Sequence, residues 1–203
     1  MNLQNPKKFK MLVDQAHEVA LHVLRPVSRK YDKAEHAYPK ELDMLASLVD
    51  GMNEGGESMN AGAAGAGNRS ESDNEGNRNG TNMSTALSII EMCYGDTGLL
   101  LSMPRQGLGN SAIAAVANDE QLERFKGTWA AMAITESGCG SDSAAIRTTA
   151  IKDGDDYILN GEKIFVTSGE RADSVVVWAT LDKKLGRAAI KSFVVPKGTE
   201  GMK

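Results

Sequence analysis

Apolar positions in the first part of the chain recur at steps of three and four. Phe9, Leu12, Val13, Ala16, Val19, Ala20, Val23, Leu24 and Val27 fall on one face of a 3.6-residue period, which predicts an amphipathic helix. Pro26 sits late in that run, where it removes a donor and crowds the preceding turn, so a kink or local break is expected there. A second helix is expected from Pro39, with Leu42, Leu45, Ala46 and Val49 turned inward and Gly51 closing it. The pattern then lapses. Residues 52–82 are dominated by Gly, Asn, Ser and Glu and predict a low-complexity loop or insertion, too poor in apolar surface to offset its ordering entropy. Helical spacing resumes with Ser84 as a candidate N-cap and runs through Ala86, Leu87, Ile90 and Cys93 to about Tyr94. Short helices are expected around LLLSM and SAIAAVA, and Asn118 with Gln121 forms a possible capping box for a helix ending at Gly127.

From Trp129 the period changes to two. Ile146, Thr148 and Ala150 alternate with Arg147, Thr149 and Ile151. Asp153-Gly154 and Asn160-Gly161 supply two hairpin signals, with DDYIL between them and EKIFVTS after them read as strands. SVVVWAT (174–180) and AIKSFVVP (189–196) add two more. Helices followed by strands predict an α+β chain: an all-helical domain over 1–128 and an antiparallel β domain over 129–203. The last strand is followed almost at once by the end of the sequence, so this β domain is expected to be truncated.

Composition narrows the function classes. With 41% hydrophobic and 25% charged residues and a net charge of −4, the chain resembles an average globular protein and lacks the basic balance of an electrostatic nucleic-acid binder. No apolar run approaches the roughly 20 residues of a membrane span, and the N-terminus lacks a signal-peptide core, so the cytoplasm or an organelle matrix is expected. Two cysteines, Cys93 and Cys139, are too few for a disulfide framework or a zinc site. His17 and His22 are five apart, not the four that place two ligands on one helical face, and a surface role is expected for them and for His36. The glycines at 62, 65 and 67 lack a preceding strand and a following Lys-Ser/Thr, so they are not a phosphate loop.

The segment AITESGCGSDSAA is where chemistry is expected. Gly138, Cys139 and Gly140 form a turn bare of large side chains, flanked by Thr135, Glu136, Ser141 and Asp142. It matches neither a G-x-S-x-G nucleophile elbow nor a dinucleotide fingerprint. Such a backbone lets a ligand come close and leaves amide groups unshielded, while Thr135 and Ser141 offer hydroxyls. Phe165 and Thr167, two apart in an expected strand, would point to one side and suit a ring with polar edges; an ordinary core aromatic and a strand-end hydroxyl fit the spacing equally well.

The run AMAITESGCGSDSAAIRTTAIKDGDDYILNGEKIFVTSGERAD (131–173) resembles the middle-domain signature of the acyl-CoA dehydrogenase family. That signature is a T-E-P-G-x-G-S-D turn followed by a hairpin reading N-G-x-K-x-W-I-T-N-G. Weaker similarity extends upstream through LRPVSRKYD, YGDTG, GLGNSAI and NDEQLERFKG. The resemblance implies a helical domain, a middle β domain and a C-terminal helical bundle, the last lying outside this chain. It implies FAD as cofactor and α,β-dehydrogenation of an acyl-CoA thioester, with hydride passing to flavin N5 and electrons onward to an electron-transfer flavoprotein or similar acceptor. The flavin-binding residues it implies are Met132, Ala133, Ile134, Thr135, Ser141, Phe165, Val166 and Thr167, with Ser141 also meeting the acyl-CoA arm. The catalytic carboxylate would belong to the absent bundle, and Glu136 would be structural. A homo- or hetero-oligomer is expected, without nucleic acid or membrane span. Three positions depart from the signature: Ser137 replaces Pro, Phe165 replaces Trp and Ser168 replaces Asn. The same fold would also serve an acyl-CoA oxidase, a flavin monooxygenase relative, or a non-catalytic partner subunit or remnant.

Overall fold

The computed structural model describes residues 7–35, 37–54, 81–104 and 108–203. The expected loop at 52–82 therefore lies outside the described residues except at its two ends, both of which are helical. His36 also lies outside them. The chain forms two compact units, residues 1–106 and 107–203.

The first unit is helical. A short 3₁₀ turn (Lys7–Phe9) leads into α1 (Lys10–Val19), a single π-helical turn (Ala20–Leu24) and α2 (Arg25–Lys33). The break expected at Pro26 takes this form. Without an N–H, and with a ring that crowds the carbonyl four residues back, Pro26 disfavours a regular α turn. The chain widens instead: the Arg25 N–H donates to the Ala20 carbonyl, five residues back, and the helix continues. Ala16, Ala20 and Leu24 are buried along one face, as their four-residue spacing predicts.

α3 (Glu41–Glu54) buries Leu42, Leu45 and Ala46, but it runs past Gly51, which does not close it. α4 (Thr81–Gly95) begins before Ser84, so Ser84 is inside the helix rather than its N-cap. Asp96 caps α5 (Thr97–Leu101), its Oδ1 accepting the Leu99 N–H at 2.8 Å. The core of this unit joins Ala16, Leu24, Leu42, Leu45, Met92, Leu99, Leu100 and Met103.

The second unit sets two helices and a five-stranded sheet together. α6 (Leu108–Val116) packs Ile113 against Ala130 and Val176. α7 (Asp119–Arg124) starts with the predicted capping box: Asn118 accepts from the Gln121 N–H at 2.8 Å, and Gln121 accepts from the Asn118 N–H at 3.0 Å. The strands are β1 (Ala130–Ala133), β2 (Thr149–Asp153), β3 (Asp156–Asn160), β4 (Ser174–Thr180) and β5 (Ile190–Pro196).

The sheet is mixed, which corrects the expectation of an antiparallel domain. β2–β3 and β4–β5 are antiparallel, whereas β1–β4 and β2–β4 are parallel. The reason lies in connectivity. β1 pairs Ala130–Ala133 with Ser174–Val177, and β2 joins the same strand further along, at Thr180. β1 and β2 thus lie in one direction against β4, as one strand whose middle has been pulled out into a loop. β4, with neighbours on both edges, is the apolar run SVVVWAT, with Ser174, Val176, Ala179 and Thr180 buried.

A second correction concerns 161–167. The hairpin at Gly154 forms, but Asn160-Gly161 does not return the chain to the sheet; 161–166 has no strand structure and 167 begins a turn. Gly161 explains where this segment goes. A Cβ there would meet Thr148 Oγ1 at 2.4 Å and Thr148 Cα at 2.7 Å, so the backbone lies flat against the start of β2.

Candidate functional site

The site is the gap between β1 and β2. At the end of β1 the chain leaves the sheet at Ile134, turns at Ser137–Gly140 and passes a short 3₁₀ turn (Ser143–Ala145). It rejoins β4 where the Thr180 N–H donates to the Thr148 carbonyl at 2.9 Å. The turn closes on itself through paired backbone bonds, Glu136 N–H to Cys139 carbonyl at 2.9 Å and Cys139 N–H to Glu136 carbonyl at 3.1 Å.

Glu136 fastens both ends of this excursion. Its side chain is 8% exposed and accepts from the Arg147 N–H (2.7 Å), the Thr148 N–H (2.9 Å), the Thr148 hydroxyl (2.6 Å) and the Lys163 ammonium (2.7 Å). The carboxylate thus satisfies amide groups at the point where the strand edge is broken. Burial would raise its pKa, but the donors from Lys163, Thr148 and Arg147 outweigh burial and hold it at about 2. An ionised carboxylate engaged by four donors has no capacity left to abstract a substrate proton, in keeping with a structural role.

Lys163 is equally buried and has a second bond, to the Ile134 carbonyl at 3.0 Å. Next to it the Ile164 N–H donates to the Thr135 carbonyl at 2.9 Å. These bonds bring together the two segments that the sequence marked out separately: Met132, Ala133, Ile134 and Thr135 at the end of β1, and Phe165, Val166 and Thr167 beyond Ile164. Met132 is half-buried and Ala133 buried within β1, Thr135 and Val166 are half-buried, and Ser141 and Thr167 are exposed. Val166 packs beside the cluster of Trp129, Ala131 and Ala172.

Phe165 departs from both readings of the sequence. It is not a core residue, being 88% exposed, and it is not in a strand. Its φ is +56° and that of Ser168 is +57°, a left-handed conformation that side-chain-bearing residues adopt at a cost. Among the described residues nothing in the fold accounts for a large apolar ring held out in a strained backbone, and such outliers gather at ligand sites. The turn at Ser137–Gly140 is bare. A Cβ at Gly138 would meet nothing within 4 Å, and one at Gly140 would make only an ordinary contact with Thr135 at 3.9 Å. The turn therefore has open space beside it among the described residues.

Residues that sequence reasoning missed hold the frame. Asn110, on α6, donates to the Thr128 carbonyl at 2.6 Å and accepts from the Ala130 N–H at 2.9 Å, which fixes the start of β1. Asp173 accepts the Trp129 N–H at 2.9 Å on the other side. Lys163 stood inside a quoted motif, but its place between Glu162 and Ile164 gave no sign that its ammonium is buried.

Residues 131–203 match the family described as acyl-CoA dehydrogenase, middle domain. The 3-(aryl)acrylate reductase of Clostridium sporogenes is 33% identical over 195 residues, 92% of this chain and 47% of its own length. The butyryl-CoA dehydrogenase of Megasphaera elsdenii superposes with a TM-score of 0.75 at 26% identity, covering 99% of this chain and 51% of that one. A glutaryl-CoA dehydrogenase from Mycobacterium smegmatis, solved in complex with FADH2, shares the fold at a TM-score of 0.74 and 22% identity, over 98% of this chain and 48% of that one. The chain thus spans about half the length of the relatives it matches. The interrupted strand edge and the bare turn fastened by a buried carboxylate lie within residues 131–203, the stretch that matches the acyl-CoA dehydrogenase middle domain, and similarity in sequence and fold to the relatives named extends over nearly all of this chain.

Proposed function

We propose that this chain is the N-terminal part of an FAD-dependent enzyme that dehydrogenates acyl-CoA thioesters between the α and β carbons. Residues 1–128 would correspond to the helical domain and 129–203 to part of the middle β domain. The observation that carries the reading is the open turn at 137–141, tied by Lys163 and Ile164 to a segment that holds an unburied Phe165 in a strained conformation.

These residues fit a flat ring with polar edges. Met132, Ala133, Ile134 and Thr135 offer backbone and one hydroxyl at a strand end, and Phe165, Val166 and Thr167 offer an aromatic face, an apolar side chain and a hydroxyl. Ser141, on the exposed limb of the turn, would meet both cofactor and thioester arm. When bound, FAD supplies the hydride acceptor. Hydrogen bonds from Thr135 and Thr167 to its edge would favour the reduced form, since a protein tunes a cofactor by the donors it offers. The α proton needs a base; Glu136 is fully engaged, and we assign that task to residues beyond this chain. Acyl-CoA as substrate, an electron-transfer flavoprotein or similar acceptor, and a homo- or hetero-oligomeric assembly belong to the same proposal.

The test is an anaerobic titration of the full-length protein with acyl-CoA thioesters. Loss of the oxidised flavin absorbance with formation of a 2-enoyl product is expected; a purified full-length protein that takes up no flavin would overturn the reading. Rapid reoxidation of the reduced protein by oxygen would instead favour an oxidase.

A further inference from the structure

The Glu136–Lys163 pair is more than the fold of the sheet requires. Glu136 alone meets the amide groups at the start of β2, and Thr148 already supplies it with a hydroxyl. Lys163 adds two things: a counter-charge for a carboxylate 8% exposed, and a bond to the Ile134 carbonyl at 3.0 Å. That second bond lies beside the one from the Ile164 N–H to the Thr135 carbonyl. Together they form a two-point fastening between 134–135 and 163–164, the residues that precede the turn and the Phe165 segment respectively. Segment 161–166 has no strand partners among the described residues, so its placement rests on these bonds, on the close approach of Gly161 to Thr148 and on the packing of Val166 beside Trp129, Ala131 and Ala172.

Resting on the flavin reading above, we propose that Lys163, paired with Glu136, is a positioning residue that sets the spacing of the two walls of the cofactor site. It touches neither cofactor nor substrate; it acts through the carbonyl of Ile134 and the backbone of Phe165–Thr167. A buried ion pair can often be replaced by apolar or neutral groups of similar size without loss of stability. The fold and the fastening can therefore be separated.

The experiment compares the full-length wild-type protein with Lys163→Met, the double variant Glu136→Gln/Lys163→Met, and Thr148→Val. FAD dissociation is followed by fluorescence, the bound flavin by its visible spectrum and reduction potential, and stability by urea unfolding. Lys163→Met and the double variant are expected to bind FAD roughly tenfold or more weakly, the scale of a lost charge-assisted hydrogen bond, with a shifted flavin spectrum. Thr148→Val removes a bond to Glu136 but keeps the shape of the side chain that Gly161 lies against, and it leaves the two bonds from 163–164 in place. It is expected to lose stability while its FAD dissociation constant changes by less than about twofold, because the bonds from Lys163 and Ile164 to residues 134–135 remain. A folded double variant with wild-type affinity and spectrum would overturn the proposal. So would Thr148→Val weakening FAD as much as Lys163→Met, or loss of the fold in both Lys163 variants, because the pair would then serve the sheet alone. If the wild-type protein itself binds no FAD, it is the functional reading that falls.

Discussion

Burial alone would push the carboxyl of Glu136 up, and donors from Lys163, Thr148 and the Arg147 N–H bring it down to about 2, against an ordinary 4.5. A lowered pKa stabilises the fold at pH values above about 4.5, and that contribution is lost as pH falls through about 2. The difference corresponds to about 3 kcal/mol as an order of magnitude. Urea unfolding followed between pH 6 and acid conditions should therefore show a loss in the wild-type protein that is smaller, by this contribution, in Glu136→Gln, which starts less stable at neutral pH. Phe165 offers the opposite case. Because its ring is exposed and its φ is +56°, Phe165→Gly should leave stability unchanged or raise it by about 1 kcal/mol while weakening flavin binding. Thermal unfolding and FAD titration on the same sample check both halves. The sequence marked both residues through the family signature, but not the state of either. Phe165 was marked by a motif, but its exposure depends on a backbone conformation that no two-residue period describes. The depressed Glu136 depends on partners 11, 12 and 27 positions away.

Elements were legible where the pattern is local. The capping box at Asn118, the four-residue burial of Ala16, Ala20 and Leu24, and the alternation of Ile146, Thr148 and Ala150 follow from neighbours in sequence. The mixed sheet was not legible, because the pairing of β1 and β2 with one edge of β4 is decided 44 residues from β1, where Ala130 meets Ser174. The frame of β1 also depends on α6. Gly109 lies so close to the sheet that a Cβ would come within 2.3 Å of the Ala131 carbonyl oxygen and 2.5 Å of that of Ala130. Gly109→Ala should destabilise by about 2 to 3 kcal/mol through forced separation of α6 from β1. Asn110→Ala should cost about 2 kcal/mol by leaving the Thr128 carbonyl and the Ala130 N–H without their partner. Urea denaturation midpoints of the two variants, at constant slope, measure these costs.

At the scale of the molecule, the helical unit and the sheet unit each have their own core. Among the described residues no helix is long and apolar enough to cross a membrane. The family signature was legible in the sequence because its two motifs, one on the interruption of a strand and one on the segment tied to it, are long and stand in a set order. The acyl pocket and the proton-abstracting base that the proposed activity requires were not legible, and this chain spans about half the length of the relatives it matches. For the full-length protein, the expected outcome of reconstitution is a yellow complex in which Thr167→Ala shifts the flavin potential, read by equilibrium dye reduction.

The broken strand has a consequence for how such a protein changes over time. β1 and β2 are each held in register by β4, and Glu136 draws the two ends of the excursion together. The residues from Ser137 to Ile146 are thus a cassette between two fixed posts. Doubling its length would cost only about 0.6 kcal/mol in closure entropy, and no strand would slip. Evolution, or a designer, is free to rewrite the residues that face a new substrate there without renegotiating the sheet that carries them.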